Sequence, residues 1–258
     1  MNAYGAENLN ATGATDILVA FALDTIGRRQ YTLYIKDLKT NTILGDKVDN
    51  CTGSSTWAND NKTLFYTLKN EITLRSEAIY KHKLGTNSDD DQLVFEEKDD
   101  TFGVGVYKTK SKKYLVISSY STLTTEYQIL NANTPDQKFK VFQPRTRGLE
   151  YSISHFDDSF YVLSNADNAQ NFKLSKTSEN NTEKRYWKDV IPHREDVLLE
   201  DIEIFKDFLV VSSCRNTIKI ILNLFIIIQV NVIFIICNSY FLNDIRVIFQ
   251  EVFQLKQI

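Results

Sequence analysis

The sequence predicts an all-β protein and, within that class, a β-propeller. The first observation behind this is a repeat. Five short segments can be laid over one another: DILVA (16–20), KTLFY (62–66), KKYLV (112–116), DSFYV (158–162) and KDFLV (206–210). Their third residues, Leu18, Leu64, Tyr114, Phe160 and Phe208, stand 46, 50, 46 and 48 residues apart. A four-stranded propeller blade occupies roughly 40 to 50 residues. The second observation is that a turn and then an alternating polar and apolar segment follow each of the first four anchors. The third is that the anchors themselves do not alternate. A β-sandwich also spaces short strands regularly, but its turns come about every 8 to 12 residues without a longer superperiod.

In the first unit the run 17–23 is almost entirely apolar, which suits a strand with sheets packed on both faces. Thr25, Gly27 and Arg28 supply a turn, and YTLYIKDL (31–38) alternates as a strand with one buried and one wetted face should. The second unit repeats this with an apolar run at 64–68 and AIYKHKL (78–84). The third pairs its anchor with EYQIL (126–130). In the fourth, Asn165, Asp167 and Asn168 form the turn before NFKLSK (171–176). The fifth has an anchor alone.

Composition fits a strand-rich body with enough length, 258 residues, for a sizeable core. Three prolines and nine glycines exclude a collagenous or low-complexity chain. A net charge of -3 provides no general field for nucleic acid or anionic lipid, so no nucleic-acid partner is expected. The pair Arg145 and Arg147 reads as a solvated turn. Cys51, Cys214 and Cys237 are odd in number and widely separated, which points to a reducing compartment. The first residues lack the basic and then apolar regions of a signal peptide, and a cytoplasmic location is expected.

The search for chemistry yields no catalytic, cofactor-binding or metal-ligating residue, and no substrate-binding residue can be assigned. No two glycines lie four residues apart, so the Gly-x-Ser-x-Gly elbow of an α/β-hydrolase is absent from the sequence. His82, His155 and His193 lack metal-ligand spacing and are expected to be structural or exposed. Gly103-Val104-Gly105 misses the third glycine of a nucleotide loop and reads as strand backbone beside a turn. Residues 89–91, three aspartates, lack the glycine of a calcium loop and read as a solvated loop. Trp57 and Trp187 read as core or inter-blade wedges.

Six blocks in order, GRRQYTLYIKDL (27–38), TWANDNKTLFYT (56–67), IYKHKLGT (79–86), VFEEKDDTF (94–102), PRTRGLEYSISHFDDSFYVLSN (144–165) and IPHREDVLLEDIEIFKDFLVVS (191–212), resemble oligopeptidase B of the prolyl oligopeptidase family of serine peptidases. The resemblance runs from about residue 15 to about residue 217 and covers only part of that family's seven-bladed propeller. It implies an incomplete propeller of about four to five blades. In the family the propeller covers an α/β-hydrolase domain carrying Ser, Asp and His, and selects short peptides by size. Cleavage there follows Arg or Lys, and the carboxylates responsible lie in the hydrolase domain. The matching blocks contain none of those positions.

Three segments are therefore expected: an irregular lead at 1–14, a partial propeller at 15–217 and an apolar tail at 218–258 that departs from the family. That tail holds 12 isoleucines in 41 residues and neither glycine nor proline. It reads as a spanning helix, as divergent strands, or as AT-rich DNA translated in a shifted frame, the last being favoured; a membrane partner is not. The functional expectation is the truncated gating propeller of an oligopeptidase B-like endopeptidase, inactive alone. Its partners would be the hydrolase domain and short basic peptides, and open propeller edges would promote self-association. A free-standing propeller that binds peptide or protein is the alternative.

Overall fold

The computed structural model describes residues 18–214 and the backbone of 215 and 218–222. Leu18–Leu23 (β1), Tyr31–Asp37 (β2), Thr42–Trp57 (β3), Thr63–Lys69 (β4), Ser76–Lys83 (β5) and Gln92–Glu96 (β6) form one sheet in chain order. Gly103–Lys108 (β7), Tyr114–Tyr120 (β8), Thr125–Asn131 (β9) and Lys140–Val141 (β10) form a second. Tyr151–Phe156 (β11), Ser159–Ser164 (β12), Lys173–Ser178 (β13) and Lys188–Ile191 (β14) form a third. Val197–Ile204 (β15), Leu209–Arg215 (β16) and Ile218–Leu222 (β17) make the last. Every strand pair is antiparallel.

The five anchors fall on or run into β1, β4, β8, β12 and β16, and the alternating segments fall on β2, β5, β9 and β13. The six-stranded sheet contains two blade units joined through β3. The first part of this 16-residue strand pairs with β2 from Asp37↔Thr42 to Tyr31↔Cys51; its last part pairs with β4 from Cys51↔Leu68 to Trp57↔Leu64. The register shifts between Cys51 and Ser55, where Gly53 has φ +86° and a Cβ would stand 3.2 Å from the Tyr31 ring. Glycine meets both demands. Three four-stranded blades thus lie between two three-stranded units, an incomplete propeller. Strand β17 lies beyond residue 217; the 1–14 lead, the rest of the tail and Cys237 lie outside the described residues.

Successive side chains of a strand point to opposite faces, and in the anchor strands β4, β8 and β12 both faces are buried, whereas β1 and β16 each leave one face only half-buried. Leu64 and Tyr66 of β4 join Leu33, Ile35 and Trp57 on one side, while Phe65 joins Ile79, Leu115 and Ile117 on the other. Val116 of β8 turns the opposite way, toward Phe142, Tyr151 and Phe160. In β12, Phe160 and Val162 enter that layer, and Tyr161 and Leu163 enter the next with Leu174, Ile202 and Leu209. Each of the four apolar layers lies between consecutive blades. Both tryptophans act as wedges there: Trp57 is buried in the first layer, and Trp187 packs beside Tyr151 while its indole N–H donates to the Thr182 carbonyl at 2.8 Å.

Polar groups tie the blades at their rims. The Asn59 amide donates to the Lys112 carbonyl at 2.9 Å, and the Asn171 amide donates to the Arg194 carbonyl at 3.1 Å. Arg145 corrects the reading of its segment as a solvated turn. Its guanidinium donates to the Glu97 carboxylate at 2.5 Å and lies 3.7 Å over the Phe102 ring, whereas Arg147 is exposed. The partner that draws Arg145 inward lies 48 residues away in sequence.

The layered core makes a direct prediction. Phe160→Ala removes a fully buried ring that meets Phe142 edge-on at 5.0 Å, and is expected to lower the unfolding free energy in urea by about 3 to 5 kcal/mol. Ile72→Ser, at a turn residue 92% exposed, is expected to change it by less than about 0.5 kcal/mol.

Candidate functional site

Strands β7, β11 and β15 each form an edge of their sheet. Their C-terminal ends converge on a groove of about 450 Å3 lined from three blades. The turn after β7 contributes Lys110 and Ser111, β11 contributes Ser154 and His155, the end of β15 contributes Glu203, and the turn after it contributes Phe205. The apolar surface of the anchors is spent between blades, so these strand ends are what the fold presents to a visitor.

Lys110 reaches across the groove to pair with Glu203, and its ammonium stands 3.8 Å from the centroid of the Phe205 ring. Both charged side chains are about half exposed. Deeper in, His155 links two blades. Its Nδ1 is 2.8 Å from Ser111 Oγ and its Nε2 is 2.6 Å from Glu179 Oε1, with Tyr114 and Phe160 packed edge-on against the ring. Burial pushes His155 below its ordinary value, outweighing the Glu179 hydrogen bond, and nearby Lys113 adds to the effect. The neutral ring donates from Nε2 to Glu179 and accepts the Ser111 hydroxyl at Nδ1.

Burial alone would raise Glu179, but Lys113 and His155 hold its carboxyl below the usual value. The Ser-His-Glu order has the outline of a nucleophilic triad. Here the acid is already committed to Lys113 and the ring is wedged between aromatic side chains, so the cluster ties the β7–β8 turn to β11 and the segment after β13.

His82, fully buried in β5, occupies a different kind of site. Asp91 Oδ1 lies 2.7 Å from its Nδ1 and Asp46 Oδ1 lies 2.9 Å from its Nε2. The Gly85 backbone N–H also donates to Asp46, and Tyr66 donates to Asp91 at 2.9 Å. Burial opposes a charge on the ring, but the bonds to Asp91 and Asp46 prevail and raise His82 above its ordinary value. This corrects the reading of 89–91 as wholly solvated. Asp89 and Asp90 are exposed, but the Asp91 side chain is only 2% exposed because it serves as a histidine partner. His193 lies apart from both clusters, with a buried Nε2 that has no hydrogen-bond partner. Gly103 and Gly105 are backbone of β7. Cys51 and Cys214 are free thiols.

A family model described as prolyl oligopeptidase, N-terminal beta-propeller domain, matches residues 11–225. The chain belongs to the prolyl oligopeptidase family. Among its relatives, dipeptidyl aminopeptidase BI of Pseudoxanthomonas mexicana is 40% identical over 202 residues, which are 78% of this chain and 28% of that protein. Protease 2 of Moraxella lacunata is 31% identical over 200 residues, covering 77% and 28% respectively. The structure is similar to oligopeptidase B from Leishmania major, with a TM-score of 0.75, 28% identity and coverage of 80% of this chain and 29% of that one. The chain therefore spans less than a third of these relatives, and what it matches is the propeller that accompanies the family's catalytic domain.

Sequence reasoning did not single out Lys110, Glu203 or Phe205 of this family propeller. The repeat held a usable signal, because the residues just before the third, fourth and fifth anchors, 107–111, 153–156 and 202–205, are those that line the groove. The two buried histidines are expected to titrate in opposite senses from an ordinary value of 6.5. The contribution of His82 to stability is complete below that unfolded-state value and is lost as pH rises through its raised folded value; that of His155 is complete above it and is lost as pH falls through its lowered folded value. In an NMR titration the ring resonances should have midpoints above 6.5 for His82 and below 6.5 for His155.

Proposed function

We propose that this propeller gates the active site of an oligopeptidase B-like serine endopeptidase, admitting short flexible peptides and excluding folded chains. The observation that carries this reading is the convergence of β7, β11 and β15 on one groove, where Lys110, Ser111, His155 and Glu203 stand beside apolar side chains such as Phe156 and Phe205. Selection at such an opening acts through size and charge. Proteolysis would come from a hydrolase domain bearing the nucleophile elbow, a motif that the 258-residue sequence lacks. The names of the relatives, dipeptidyl aminopeptidase BI, Protease 2 and oligopeptidase B, support a peptide as the substrate class. A cytosolic location and short basic peptides as visitors belong to the same reading.

Two measurements test it. The purified chain is expected to leave a short arginyl amide uncleaved, and turnover blocked by a serine-directed inhibitor would refute the claim that it is inactive alone. Because edge strands offer unpaired backbone groups, the isolated chain is expected to self-associate in sedimentation velocity. A monodisperse monomer with a cooperative melt would contradict that expectation.

A further inference from the structure

We propose that Glu203 and Phe205 form a binding site for an organic cation, the guanidinium or ammonium group of a peptide side chain, and that the chain's own Lys110 fills this site. A carboxylate beside an aromatic face is a chemical pair suited to cations, since the charge meets an anion on one side and a ring quadrupole on the other. Glu203 ends the polar face of β15, and Phe205 follows in the tight turn whose Phe205 N–H donates to the Phe208 carbonyl at 2.9 Å. The Phe205 ring is stacked on Phe208, with centroids 4.5 Å apart and planes 23° from parallel, so the ring face is held in place before any cation arrives.

Lys110 comes from a turn 93 residues earlier, two blades away, and passes across the groove to reach the pair. It is 56% exposed and Glu203 is 52% exposed, so the bond between them is a solvated one of small net worth that an incoming cation can replace. The neighbouring carboxylate, Glu179, is committed to both Lys113 and His155. Glu203 is therefore the anion at this groove whose partner is exchangeable. A guanidinium has an added advantage over Lys110, because its plane can lie flat on Phe205 while its N–H groups reach the carboxylate.

The cation site stands on this geometry alone; its assignment to a peptide rests on the proposed gate. The test is calorimetric titration of the full chain at low salt with ethylguanidinium and, separately, with N-acetyl-arginine amide. Three forms are compared: the native chain, Lys110→Met and the double variant Lys110→Met/Glu203→Gln. Removing the resident ammonium in Lys110→Met is expected to tighten ethylguanidinium binding about tenfold, and Glu203→Gln is expected to reverse the gain. Equal urea midpoints for the three forms confirm intact folding, which the exposure of both residues favours. Equal affinity in native and Lys110→Met chains, or undiminished binding in the double variant, overturns the site. Binding of ethylguanidinium without binding of N-acetyl-arginine amide upholds the cation site and overturns its peptide assignment.

Discussion

A strand with sheets packed against both of its faces has no wetted side, and this constraint organises the molecule. It acts on β4, β8 and β12, where consecutive residues such as Phe160 and Tyr161 belong to different apolar layers. A blade that must be apolar on both faces cannot hide its surface alone. Its stability depends on its neighbours, as in other repeat architectures. Polar groups are displaced to strand ends and turns, and those that remain inside need partners, since an unpaired buried polar group costs about 1 to 3 kcal/mol. His82 between two aspartates and His155 between Ser111 and Glu179 meet that requirement in two ways.

The histidines differ because of the charges around them. His82 faces two carboxylates, and burial of the ring is more than offset. For His155 burial prevails over the one carboxylate bonded to the ring, Glu179, and the Lys113 ammonium that shares Glu179 adds to the effect, so the ring stays neutral. A buried charged group is tolerable only with such close compensation. Both clusters join segments that are distant in sequence, Asp46 to His82 and Ser111 to His155, and so specify which turn sits beside which strand.

The same constraint decides what was legible. Two-sided burial erases alternation, and for that reason the anchor strands stood out as continuous apolar runs with a regular superperiod. The third strands alternate, and they were legible for the opposite reason. First strands such as β7, with the sequence GVGVYK, carry neither signature, and with them the groove went unseen. Arg145 and Asp91 were misread because charged residues in turn-rich sequence are ordinarily solvated, and nothing local announces Glu97 or His82 as a partner. The passage of β3 through two blade units depends on Gly53 adopting a positive φ against the Tyr31 ring, a contact that the linear pattern does not contain.

In the proposed reading function falls to the strand ends because packing consumes the faces. In the proposed gate, widening the groove by reshaping a blade would tear a layer packed from both sides, as Phe160 is against Phe142 and Val116. Close-packed layers resist continuous deformation, so motion is better accommodated by small displacements of whole blades. The links that such a displacement must break are the polar ones at the rim, and Lys110 to Glu203 is among the most exposed of them. In the proposed gate strength and adjustability are thus separated in space: the apolar layers hold the blades together, and the solvated charges at their ends would set how far the groove stands open.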